Sequence, residues 1–129
     1  MPTVESVLLE KGSDVVGVLG ETTVRQAVRK MIEANVGCLI VETDTKVIGI
    51  FTERDLLRRV VGDDKDPDSV LIAEVMSSPV SSCKPSDDID ECFKTLSAGE
   101  FRHLLVLDND EPVGVISLRD VSLVLHQDG

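Results

Sequence analysis

The chain has neither tryptophan nor tyrosine, and its only aromatic residues are Phe51, Phe93 and Phe101. Its core must therefore be built from Val, Leu and Ile, an inventory that suits β-strands covered by helices. The same shortage removes any surface on which nucleic-acid bases would stack. Positive charge is scarce too: 13 Lys and Arg face 24 Asp and Glu, a formal net charge of −11. That balance opposes binding to nucleic acid or to an anionic membrane surface, although a local basic patch can still hold a small anion. No apolar run approaches transmembrane length and no signal-peptide pattern opens the chain. The cysteines are three, Cys38, Cys83 and Cys92, an odd number without CxxC spacing. Apolar neighbours around each point to buried reduced thiols rather than a metal site or a redox pair. Reduced thiols fit the cytosol, so a cytoplasmic protein without membrane or nucleic-acid partners is expected.

What is present is a repeat. The 129 residues, 42% of them hydrophobic, are enough for one compact globular domain. Within them Gly49-Ile50-Phe51-Thr52-Glu53-Arg54-Asp55 and Gly114-Val115-Ile116-Ser117-Leu118-Arg119-Asp120 share one pattern. Each runs Gly, two apolar residues, a hydroxyl residue, any residue, Arg, Asp. The offset is 114 − 49 = 65, and carried backwards it pairs Leu39-Ile40-Val41 with Leu104-Leu105-Val106 and Val15 with Val80. No insertion is needed between Val15 and Gly62, so the chain reads as a duplication.

Each copy has the same order of elements. Val15 to Leu19 is β-branched and reads as a strand. Thr22 or Thr23 caps a helix from Val24 to about Ala34, whose apolar residues share one face. Gly37 to Glu42 and Val47 to Phe51 are strands around a polar turn, and Thr52 caps a helix to about Val61. The second copy gives strands at Val80 to Cys83, His103 to Leu107 and Val113 to Ile116, with helices from Ile89 to Ala98 and Leu118 to about Leu125. The fold class expected is α/β (α+β), two β-α-β-β-α modules packed sheet against sheet as a pseudo-twofold pair. The boundaries are a leading helix and linker at 1–14, module 1 at 15–62, a linker at 63–79 and module 2 at 80–127. Ile72 to Met76 forms a helical turn ahead of the second copy, and Val4 to Glu10 is expected to play that part for the first.

The two heptapeptides, with Glu74-Val75-Met76 and Arg102-His103-Leu104-Leu105-Val106-Leu107-Asp108, resemble the signature of cystathionine β-synthase (CBS) domains. The likeness runs from about Val4 to His126 and identifies the chain as similar to a CBS pair, or Bateman module. Such pairs bind adenosine-containing ligands, AMP, ADP, ATP or S-adenosylmethionine, in two clefts between the modules, and regulate attached or partner proteins. The resemblance implies no obligate cofactor, a homodimer and a regulated partner that the sequence does not identify. It places ribose on Asp55 and Asp120, with Thr52 and Ser117 against ribose or phosphate. Phosphate falls to Arg102 and His103, where the first copy has Gly37 and Cys38 instead, so the two clefts are expected to be unequal.

Elementary chemistry agrees with those assignments. An Asp in the first turn of a helix is rigidly aimed and accepts two hydroxyl donors. Phosphate is favoured where Thr52 or Ser117 opens a helix. Val16, Val18 and Ile48 are apolar strand residues able to flank an adenine. A structural reading stands beside this one, in which Thr52 and Ser117 are N-caps and Asp55 and Asp120 stabilise the first helical turn. No phosphate-binding loop, nucleophile motif or metal-ligand spacing occurs, so no catalytic or metal-ligating residue is expected. The competing function is a dimeric interaction module with degenerate, ligand-free clefts. Dimerisation is expected through the final helix of each copy, where Leu56, Leu57, Val60, Val121, Val124 and Leu125 are apolar.

Overall fold

A computed structural model describes residues 2–12 and 15–127. Residues 1, 13 and 14 of the leading segment expected at 1–14 lie outside the described residues. The elements follow in the order α1 (Val4–Lys11), β1 (Gly17–Leu19), α2 (Val24–Ala34), β2 (Cys38–Glu42), β3 (Val47–Thr52) and α3 (Glu53–Asp55). After a six-residue π-helical continuation of α3, Leu56–Val61, come α4 (Ile72–Val75), β4 (Ser81–Cys83), α5 (Ile89–Ser97), β5 (His103–Asp108), β6 (Glu111–Ser117) and α6 (Leu118–Gln127). This is the mixed α and β architecture expected, with two three-stranded sheets ordered β1-β2-β3 and β4-β5-β6.

Each sheet joins a parallel pair to an antiparallel hairpin. The β5–β6 turn, Asn109-Asp110, has both residues at positive φ, 51° and 68°. Short polar side chains tolerate that conformation, and its twist matches the flanking strands. Of the two threonines able to cap α2, Thr23 does so: its hydroxyl accepts the Gln26 amide at 3.2 Å. Asn35 closes the same helix in the left-handed conformation.

The chain divides into two compact units, one of residues 16–79 and the other of 1–15 with 80–129. The partition corrects the expectation for the leading helix. Val4, Val7 and Leu8 of α1 are buried with Ile89, Leu104 and Ile116 of the second copy. Ile72 and Val75 of α4 are buried with Val24, Leu39 and Phe51 of the first. Each copy is thus covered by the helix that precedes the other. The leaders also correspond: Val4, Val7 and Leu8 match Ile72, Val75 and Met76 at 72 − 4 = 68 residues. An apolar stripe at helical spacing states that a helix needs cover, not which of two similar sheets supplies it.

The glycine of each signature has a packing role. A Cβ on Gly49 would meet Met76 Sδ at 2.6 Å and the Ser77 carbonyl oxygen at 2.9 Å, and one on Gly114 would meet Leu8 Cδ2 at 2.5 Å. At Gly49 backbone lies so close to the strand that a side chain has no room, whereas at Gly114 the obstacle is the end of the Leu8 side chain. The final helices also differ from expectation. Val60, Val121 and Val124 are buried in their own units, and Leu56 and Leu125 pack half-buried against the same cores. The amphipathic face is spent inward, which leaves Leu57 and Val61 exposed in the first copy and Leu118 and Leu123 in the second.

Candidate functional site

Both signatures end a strand and start a helix, and in both the hydroxyl residue and the Asp cap one another. In the first copy the Thr52 hydroxyl accepts the Asp55 amide at 3.2 Å. Asp55 Oδ2 in return accepts the Thr52 amide at 3.0 Å and its hydroxyl at 3.2 Å. In the second, Ser117 Oγ accepts the Asp120 amide at 3.3 Å, and Asp120 Oδ2 accepts the Ser117 amide at 2.9 Å. The reciprocal cap satisfies amides that a helix start leaves without intrahelical partners.

Beyond the cap the two copies diverge. Asp55 is 4% exposed and Thr52 7%, whereas Ser117 and Asp120 are half-buried. Asp55 Oδ1 accepts the Ser77 hydroxyl at 2.8 Å, with Arg59 Nε at 3.7 Å. Arg59 Nη1 donates to the Met76 carbonyl at 2.8 Å. Sequence reasoning missed both partners of Asp55. Arg59 was detectable four residues on along a helix, but nothing local marks Ser77.

Strand register assembles the second-copy group. His103 lies opposite Ser117 in the β5–β6 ladder, and Arg102 immediately precedes it. The register thus sets His103 beside Ser117, and through the cap beside Asp120, at the start of α6, with Arg102 one residue ahead in the chain. The corresponding pair in the first copy is Cys38 opposite Thr52. There Gly37 faces an acid: its carbonyl accepts the Glu53 amide at 3.1 Å, and a Cβ on it would stand 3.0 Å from Glu53 Oε1. The place of Glu53 in the second copy is taken by the neutral Leu118. The two copies thus differ in residue charge around the junction: Gly37, Cys38 and Glu53 in the first stand where the second has Arg102, His103 and Leu118.

Val16, Val18 and Ile48, expected beside adenine, belong to the unit of residues 16–79. Val18 is buried in its core, and Val16 and Ile48 pack half-buried against it. Val18 also borders an open cavity of about 490 Å³ with Gly17, Leu19, Thr22, Gln26, Lys30 and Glu42. No disulfide joins the cysteines, Cys83 and Cys92 being buried and Cys38 half-buried. Burial, and then the neighbouring Cys92 thiol, pushes Cys83 up to about 12, and burial raises Cys92 as well. Among the described residues no group of His, Cys, Asp and Glu is placed to hold a metal ion, and no helix is long and apolar enough to cross a membrane.

Comparison with known proteins accords with this geometry. The CBS domain family model matches twice, over residues 7–62 and 72–127, and the chain belongs to the CBS-domain family. It is similar to a putative signal-transduction protein with CBS domains from Burkholderia ambifaria, at 32% identity and a TM-score of 0.85, covering 98% of this chain and 96% of that one. A hexameric CBS-CP12 protein from bloom-forming cyanobacteria is 25% identical with a TM-score of 0.83, over 94% of this chain and 66% of that one. The CBS domain-containing protein CBSCBSPB1 of Arabidopsis thaliana is 31% identical over 121 residues, 94% of this chain and 22% of its own. The chain spans 48% or less of the length of the first curated relatives it matches. Two CBS domains in tandem form a module of generally regulatory character.

Proposed function

We propose that this chain is a non-catalytic regulatory module that binds an adenosine-containing ligand, an adenine nucleotide or S-adenosylmethionine, and signals its presence to a partner protein. The observation that carries the reading is the His103–Ser117 register, which sets a basic residue, with Arg102 just ahead of it in the chain, beside the capped Ser117–Asp120 pair at the start of α6. Asp120 supplies the acceptor for ribose hydroxyls, and the basic pair supplies positive charge for phosphate. Self-association belongs to the same proposal. Leu57 in one unit is 64% exposed and Leu123 in the other 56%, apolar side chains that contact between copies would cover. The hexameric cyanobacterial relative supports association. Three cysteines outside any disulfide support a reducing, cytoplasmic setting.

A thermal-shift series with AMP, ADP, ATP, S-adenosylmethionine and adenosine tests the proposal. A ligand bound only by the folded state, at 100 times its Kd, stabilises by about 2.7 kcal/mol, so the transition moves up by several degrees. A flat response to every compound at millimolar concentration rejects sensing. It would leave the exposed helix surfaces as the function, in a dimeric interaction module.

A further inference from the structure

The two signatures share one design, and in the first the carboxylate also takes partners from outside the signature. Asp55 receives the Thr52 amide and hydroxyl on Oδ2 and the Ser77 hydroxyl on Oδ1, with the Arg59 guanidinium 3.7 Å away. A carboxylate offers about four acceptor positions, so little capacity remains on this one. The donors are not all local. Ser77 lies 22 residues along the chain, in a short segment paired to β3: its amide donates to the Ile50 carbonyl at 2.8 Å, and the Ile50 amide donates to the Ser77 carbonyl at 3.0 Å. Arg59 holds the same segment through the Met76 carbonyl. In the second copy the positions that match Ser77 and Arg59 are apolar. Leu8 stands against Gly114 as Met76 does against Gly49, so the residue after it, Leu9, takes the place of Ser77, and Val124 takes that of Arg59.

We infer that Asp55 is a latch and not a ribose acceptor: it fastens residues 76–77, the segment leading into the second copy, to the start of α3. Together with the proposed function, on which this half of the inference rests, the latch limits the chain to one adenosine ligand, taken by the Ser117–Asp120 motif. A ribose diol approaching Asp55 meets a carboxylate that is 4% exposed and would have to evict Ser77 and Arg59. Separating Arg59 from the carboxylate and leaving the half-buried Ser77 hydroxyl without its acceptor opposes the exchange.

Two measurements decide the matter, and the first needs no ligand. In a double-mutant cycle of Asp55→Asn and Ser77→Ala, urea unfolding should show each single variant lowering the folding equilibrium constant about tenfold or more. The double variant should be barely worse than Asp55→Asn, because the two side chains share one interaction. The Ser77 amide should exchange faster in both single variants, and Ser77→Thr should restore its protection. If Asp55→Asn does not fold, Arg59→Met replaces it in the cycle. Fully additive effects overturn the latch. The second measurement is calorimetry with AMP, where wild type should bind one equivalent, Asp120→Asn should lose that site, and Ser77→Ala should keep it with equal affinity. Two equivalents in wild type, or AMP affinity falling in Asp55→Asn with unfolding unchanged, also overturn it. Absence of AMP binding in every form rejects the proposed function alone, since the cycle still decides the latch.

Discussion

Asp55 and Asp120 occupy the same place in the repeat, and their surroundings assign them different work. Their shared part, a carboxylate capping the strand–helix junction, was legible from the heptapeptides. The distinguishing part was not, because Ser77 reaches Asp55 through tertiary structure. Arg102 tests the ligand assignment from the other side. It is exposed, so Arg102→Ala removes positive charge with little effect on packing. A charge-assisted bond to phosphate contributes on the order of 1.5–3 kcal/mol, so AMP affinity should fall by about tenfold or more while adenosine affinity holds. Equal losses for the two ligands in calorimetry would show that the basic pair does not read phosphate. A further residue, Cys83, predicts a pH dependence. Its thiol is pushed up from its ordinary 9.0 to about 12 in the folded chain, so the fold binds that proton more tightly than the unfolded chain does. Its contribution is complete below about pH 9 and is lost progressively as pH rises toward 12, where the folded thiol also ionises. Urea midpoints between pH 8 and 10.5, roughly the usable part of this range, should fall less steeply for Cys83→Ala than for wild type. Identical slopes would exclude the thiol as the cause.

At the scale of elements, the β-α-β-β-α order followed from hydrophobic periodicity and one constant offset, since strands and helices advertise themselves through local spacing. The π-helical run after Asp55 did not. Gly62 N–H reaches the Leu57 carbonyl at 2.8 Å and Lys65 N–H the Val60 carbonyl at 2.9 Å, each a five-residue span. The residues of that run, Leu-Leu-Arg-Arg-Val-Val, suit an ordinary helix equally well. The signature glycines make a sharper case, because the pattern displays them without showing what approaches. Gly49 faces backbone as well as side chain, the Ser77 carbonyl oxygen lying 2.9 Å from a hypothetical Cβ, while Gly114 faces the end of the Leu8 side chain. Leucine rotates aside more readily than a hydrogen-bonded carbonyl moves. Gly49→Ala should therefore cost about 1–3 kcal/mol in urea unfolding, the range for overpacking, and Gly114→Ala distinctly less. A larger loss at Gly114 would mean that the leader against β6 is the less yielding of the two.

At the scale of the whole molecule, the sequence displays two copies in order, whereas the described units are interleaved: the first leader belongs with the second copy and the second leader with the first. Burial follows that exchange, with Val7 and Leu8 in one core and Ile72 and Val75 in the other. Truncating a leader should consequently be felt in the copy that lies distant in sequence. Leu8→Ala deletes buried methyl groups beside β6, a change that typically costs about 2–5 kcal/mol in a core. Val75→Ala makes the reciprocal deletion in the unit that holds β2 and β3. Native-state amide exchange resolves the two because openings are local and follow the packed unit. Leu8→Ala should speed exchange in β5 and β6 and leave β2 and β3 protected, and Val75→Ala should do the reverse. Faster exchange in β2 and β3 on substitution of Leu8 would return the leading helix to the first copy and remove the interleaving.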